Sequence, residues 1–168
     1  MTSPSRLPPG LSFGHPVAVI ATVGGVGLLP RAPGTWGSLV ALPPAWLIVA
    51  QWGWLGLLLG VVLVTLIGVW VADRFTQRAG VADPGIVVID EVAGQWFALA
   101  ALPLDPFWYA AGFVAFRFFD IVKPWPVSWA DRSLRGGLGV MVDDLLAGLY
   151  AVLVLLIALW LTDSVVVF

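Results

Sequence analysis

Two pairs of adjacent acids, Asp90-Glu91 and Asp143-Asp144, each stand immediately ahead of a long apolar run. Acids at the start of a helix favour its dipole, which is an ordinary structural use. Two neighbouring carboxylates cannot both serve one cap, however. Their repulsion is tolerable where a divalent cation sits between them and further ligands. Asp83, seven residues ahead of the first pair, and Asp120 add acids of the same kind. Oxygen-only ligands at this density suit a hard cation such as Mg²⁺. The chain has no cysteine, so thiolate metal sites and disulfides are excluded.

Cations accompany these acids. Arg117, Asp120 and Lys123 fall on one face of a helix that Pro124 would end. An Arg117–Asp120 ion pair is the plain reading. Yet a charged residue inside the aromatic stretch Phe116–Phe119 is expensive and usually functional. Arg suits bidentate phosphate binding, and Lys adds a point charge. Upstream, the run Pro33-Gly34-Thr35-Trp36-Gly37-Ser38 reads as a turn entering a helix. Its free N–H groups and the Thr35 and Ser38 hydroxyls offer an anion site; structurally, Thr35 or Ser38 would be the N-cap. Between Asp131 and Asp143, Gly136, Gly137 and Gly139 permit close backbone approach but match no nucleotide-binding fingerprint. A hard cation with Arg and Lys beside it is the equipment of phosphoryl transfer.

Something must hold these groups together, and composition says what kind of scaffold. The 168 residues leave room for one domain, residues 1–168. The chain is 60% apolar and 11% charged, against about 45–50% and about 25% in soluble domains. A bilayer is the matching solvent. A net charge of −2 gives no reason to expect a nucleic-acid partner. Apolar runs at about Trp36–Ala50, Trp54–Ala72, Val92–Leu104, Pro106–Phe119 and Leu145–Leu161 predict an all-α integral membrane bundle of about five embedded helices. Pro43-Pro44 should kink the first or delay its start. The third and fourth form a tight hairpin around Asp105, with arms of only about 20 Å; they either penetrate part-way or thin the membrane. The connectors at Gln51–Gly53 and Leu102–Asp105 and the tail after Leu161 carry no Lys or Arg, so all eight basic residues fall on the other side. That asymmetry predicts the N-terminus inside and the motif face cytoplasmic. Only Asp105 and Asp163 among ten acids lie outside.

Four blocks, PGTWGS (Pro33–Ser38), DPGIVVIDE (Asp83–Glu91), FRFFDIVKPWP (Phe116–Pro126) and DRSLRGGLGVMVDD (Asp131–Asp144), resemble the signature of the phosphatidylglycerophosphatase A family in order and spacing. The similarity runs from about Gly27 to Gly148. It implies Mg²⁺-dependent hydrolysis of phosphatidylglycerophosphate among membrane lipids, at the cytoplasmic side of the cell inner membrane. Matched by position, the family's polar residues fall on Thr35, Ser38, Asp83, Asp90, Glu91, Arg117, Asp120, Lys123, Asp131, Asp143 and Asp144. On this reading Asp90, Glu91, Asp120 and Asp143 or Asp144 hold Mg²⁺, and Asp144 or Asp83 is the general base. Arg117 and Lys123 neutralise the phosphate, with Thr35, Ser38 and Asp131 beside the substrate. The nucleophile, water or an aspartate, stays open. An ion-coupled transporter or channel with intramembrane carboxylates is the alternative; its charges belong at the midplane rather than at one face.

Overall fold

The computed structural model describes residues 7–8, 10–80 and 84–162. Among these the chain is all-helical: α1 (Pro16–Ala21), a 3₁₀ turn (Val26–Leu28), α2 (Pro33–Ala79), α3 (Ile89–Ala100), α4 (Pro106–Val122), α5 (Val127–Ser133) and α6 (Gly136–Leu161).

Helix α2 carries the first two apolar runs and leaves helical geometry only at Gly53, with φ 65° and ψ −171°. Only glycine adopts that conformation readily. There the chain doubles back. Trp96 Nε1 donates to the Ala41 carbonyl at 2.8 Å, and the Trp96 ring lies 3.0 Å from where a Cβ on Gly60 would sit. A straight helix would hold those two positions about 28 Å apart. The expected connector thus shrinks to one residue between Trp52 and Trp54. Pro43 and Pro44 do not delay the first arm, which corrects that expectation: helical geometry persists from Pro33. Both prolines lie on the exposed face, so the carbonyls they leave unbonded, at Leu39 and Val40, are not shut into the core.

Helices α2 and α6 are long and apolar enough to cross a membrane. The 26 residues of α6 reach about 39 Å, against a hydrocarbon core of about 30 Å. Leu55, Leu59, Leu63, Leu66 and Ile67 on α2, with Leu153, Val154, Ile157 and Trp160 on α6, are exposed apolar stripes that suit lipid far better than water.

The 12 residues of α3 are too few to cross, and the packing explains why that is tolerable. Nearly all of α3 is buried, against α2, α4 and α6. Small residues bring the backbones together: a Cβ on Gly94 would fall 2.6 Å from the Asp144 carbonyl, and one on Gly148 2.7 Å from the Gly94 carbonyl. A helix enclosed by protein has no bilayer thickness to match. The α3–α4 hairpin forms as expected. Asp105 caps α4 by accepting from the Phe107 and Trp108 N–H groups at 2.9 and 3.3 Å, and Pro106 fills the first helical position.

Three elements depart from the sequence reading. The short helices α1 and α5 carry no long apolar run and so gave no signal. Helix α6 begins at Gly136, so the glycines are its first turns, not a loop. A Cβ on Gly137 would stand 1.8 Å from the Val69 carbonyl, which is why α6 can start hard against α2.

Candidate active site

The starts of α2, α3 and α6 and the ends of α4 and α5 meet at one end of the bundle. Glu91, in the first turn of α3, is the centre of the cluster. Arg117 Nη1 donates to Glu91 Oε2 and lies 3.0 Å from the Asp120 carboxylate one turn along α4. The Ser38 hydroxyl is 3.0 Å from the Gly34 carbonyl and 3.2 Å from Glu91 Oε2, and it accepts from Arg117 Nη1 at 3.3 Å. Gly34 makes room for this: a Cβ there would sit 1.9 Å from Glu91 Oε1.

Pro33–Ser38 is therefore the opening of a helix rather than a turn, and Ala32, in the left-handed region, is its N-cap. Proline is pre-set for a first helical position, so neither Thr35 nor Ser38 has to cap. Ser38 turns inward to Glu91. Thr35, half-buried a turn earlier, makes no hydrogen bond to the cluster among the described residues.

Lys123 forms a second group. It pairs with Asp131 of α5 and with Asp143 of α6 at 2.7 Å. The sequence placed it on the face of Arg117 and Asp120. Instead it closes α4 in the left-handed conformation, φ 47°, a cost of about 1–2 kcal/mol for a non-glycine residue. That turn directs its ammonium toward α5 and α6. Burial works against its charge, but the two carboxylates outweigh burial and hold its pKa above the ordinary lysine range.

Asp144 completes the first group. One oxygen from each of Glu91, Asp120 and Asp144 lies within 4.8 Å of the other two. Asp144 Oδ2 and Arg117 Nε are buried with no hydrogen-bond partner among the described residues. Buried polar atoms are seldom left so, and these two mark where an ion, a water or a ligand atom fits. Asp143 and Asp144 do not open α6 as expected; they sit two turns inside it, because Gly136 begins the helix earlier. Asp90 is buried beside the trio, its Oδ1 accepting the Glu91 N–H at 3.0 Å. Asp90, Glu91, Asp120, Asp143 and Asp144 against Arg117 and Lys123 leave a formal surplus of three negative charges. Asp83 lies outside the described residues.

Sequence reasoning missed Gly34 as the seat of Glu91 and missed Gln95 altogether. Gln95, one turn after Glu91 on α3, is fully buried with both amide atoms unpartnered among the described residues. One glutamine in an apolar run carries no pattern to find it by.

The family model for phosphatidylglycerophosphatase A matches residues 19–159. The chain belongs to that family. Phosphatidylglycerophosphatase A of Escherichia coli is 43% identical over 82% of this chain and 80% of its own length. The Haemophilus influenzae protein of the same name is 40% identical, over 86% and 89%. A putative phosphatidylinositol-3-phosphatase of Bacteroides thetaiotaomicron is 39% identical, over 95% and 98%. No solved structure matches. The phosphatidylglycerophosphatase A match contains every residue of the cluster, from Gly34 to Asp144.

Proposed function

We propose that this protein is a membrane-bound lipid phosphatase that hydrolyses phosphatidylglycerophosphate to phosphatidylglycerol and phosphate, with Mg²⁺ held by the carboxylate cluster. The activity is the one that names the family and two of the relatives. The observation that carries the site is the Glu91–Asp120–Asp144 trio beside Arg117, with Asp144 Oδ2 shut in and unpartnered.

The donor set fits Mg²⁺: every donor is an oxygen, and a dication offsets most of the surplus negative charge. Glu91, Asp120 and Asp144 would hold the ion, with Asp90 and Asp143 alongside. Bound there, it would draw charge from a phosphate oxygen and make a water more acidic. The chain's own groups supply the rest. Arg117 offers its unpartnered Nε and a planar guanidinium to the phosphate oxygens. Lys123, fixed by Asp131 and Asp143, adds charge for the transition state. The Ser38 hydroxyl orients Glu91. A carboxylate left off the ion accepts the proton of the attacking water: Asp83, or Asp144 where Asp143 takes its place on the ion.

The two arms of α2, with α3, α4 and α6, make five embedded segments in this reading, in the inner membrane with the site toward the cytoplasm. Supporting it, every Lys and Arg among the described residues lies at the site's end of these helices. The test is phosphate release from phosphatidylglycerophosphate in detergent micelles, with Mg²⁺ and with a chelator. Release that needs Mg²⁺ is expected. No release with any divalent ion sinks the function, and undiminished release in chelator sinks the metal.

A further inference from the structure

The relatives' names share a chemical plan. In phosphatidylglycerophosphate and in phosphatidylinositol 3-phosphate alike, a phosphodiester joins diacylglycerol to a polyol, and the polyol carries a second phosphate as a monoester. Resting on the function proposed above, the cluster accounts for the monoester alone. Arg117 and Lys123 are its cations, both already engaged by carboxylates. The diester is a second anion at headgroup depth, and nothing described so far meets it.

The basic residues left at this end are Arg31, Arg74, Arg78, Arg132 and Arg135 among the described ones. Arg74 lies over the Trp70 ring, 5.4 Å from its centroid, and Arg78 follows it on the last turn of α2. Arg132 turns back on its own helix, its Nε donating to the Ser128 carbonyl at 2.8 Å. Arg135 leads into Gly136, which packs against Asp73 rather than against the trio. Arg31 differs. It is three residues ahead of Gly34, where a Cβ would lie 3.3 Å from Arg117 Nη1, so the chain itself keeps it within about 11 Å of that edge of the site. It is exposed, and no carboxylate among the described residues lies within ion-pair distance of it.

The backbone adds a separate observation. Ala32, the next residue, is held at φ 48°, a conformation costly for a residue with a Cβ. Lys123, on the other flank of the site, and Val23, in the turn after α1, are the same. Two of these three costly positions thus flank the site, and Arg31 immediately precedes the first of those two. Its neighbours Leu29 and Trp36 are exposed apolar residues, which places it at the boundary where a lipid's diester lies.

We propose that Arg31 binds the phosphodiester of the lipid substrate, so that the site reads two phosphates and thereby selects lipids with a phosphorylated headgroup. A guanidinium suits the paired oxygens of a diester better than an ammonium does. The contact persists unchanged through the reaction, so its loss belongs in KM rather than kcat.

The experiment compares Arg31→Gln and Arg31→Lys with the parent chain in micelles, measuring KM for phosphatidylglycerophosphate and inhibition by two probes. Phosphatidylglycerol carries only the diester, and inorganic phosphate resembles only the monoester. For Arg31→Gln, KM should rise about tenfold and phosphatidylglycerol inhibition should weaken equally, the scale of one charge-assisted contact. Inhibition by inorganic phosphate should be unchanged, with Arg31→Lys falling between. An unmoved KM, or equal weakening of both inhibitors, overturns the proposal; the second result would reduce Arg31 to a general surface charge. A parent chain that releases no phosphate from phosphatidylglycerophosphate refutes the proposed function instead, while direct binding of phosphatidylglycerol to parent and Arg31→Gln protein still decides Arg31.

Discussion

At the scale of single residues, the cluster reads as acids that tolerate one another only with help. Arg117 and Lys123 give part of that help, and the unpartnered Asp144 Oδ2 shows where more is needed. Asp144→Asn keeps the side chain's shape and removes its charge. Phosphate release should fall on the order of 10²-fold, the usual cost of disturbing a catalytic metal site. Asp105→Asn, at the opposite end, should leave turnover near the parent value, because asparagine caps a helix about as well as aspartate. Equal damage from the two would mean that the site has been put at the wrong end. Glu91, Arg117 and Asp120 were legible in the sequence because a charge beside an apolar run needs a reason. Asp143 and Asp144 could not be told apart there. Only the fold separates them, by turning one to Lys123 and the other to the trio. Gln95 and Gly34 were invisible, since what matters about each is a neighbour distant in the chain.

Among the elements, the apolar runs gave the long helices and the α3–α4 hairpin, but Leu145–Leu161 starts nine residues into α6 and Trp54–Ala72 stops seven residues before the end of α2. Their starts were read less well. Pro33 and Gly136 are residue types common in turns and loops, whereas each opens a helix here. The residue after each meets a tertiary contact that a side chain would block: Gly34 meets the Glu91 carboxylate and Gly137 the Val69 carbonyl. Gly34→Ala tests this directly. Alanine is the better helix former, so the melting temperature should hold. The new methyl, 1.9 Å from Glu91 Oε1, must push that carboxylate aside, and misplacement of about 1 Å costs on the order of 10²-fold in rate. Full activity in a stable Gly34→Ala protein would show that the position of Glu91 does not matter. The short helices α1 and α5 escaped the sequence reading for a plain reason: neither is long enough to show a period.

For the molecule as a whole, charge asymmetry carried more than any motif. Each arm of α2, and then α3, α4 and α6, reverses direction, yet the described Lys and Arg residues all return to one end. In this cysteine-free chain, Gln51→Cys and Ser133→Cys probe the two ends, and both positions are exposed. A membrane-impermeant maleimide should label Gln51→Cys in intact cells and Ser133→Cys only after permeabilisation. The reverse pattern would turn the molecule over, putting the site on the far side from the cytoplasm.

The enclosure of α3 sets an order for biogenesis. Ribosomes deliver α3 before α4 and α6, yet Gly94 is seated by Phe116 and by the Asp144 carbonyl, and its own carbonyl faces Gly148. Until the last helix arrives, a 12-residue segment bearing two acids has α2 beside it but lacks the length to cross and the full enclosure that α6 completes. Helix α6 is thus the closing piece of assembly. A chain halted before Gly136 loses Asp143, Asp144 and the cover that α6 gives α3, so it is not a shortened enzyme but an unfinished insertion.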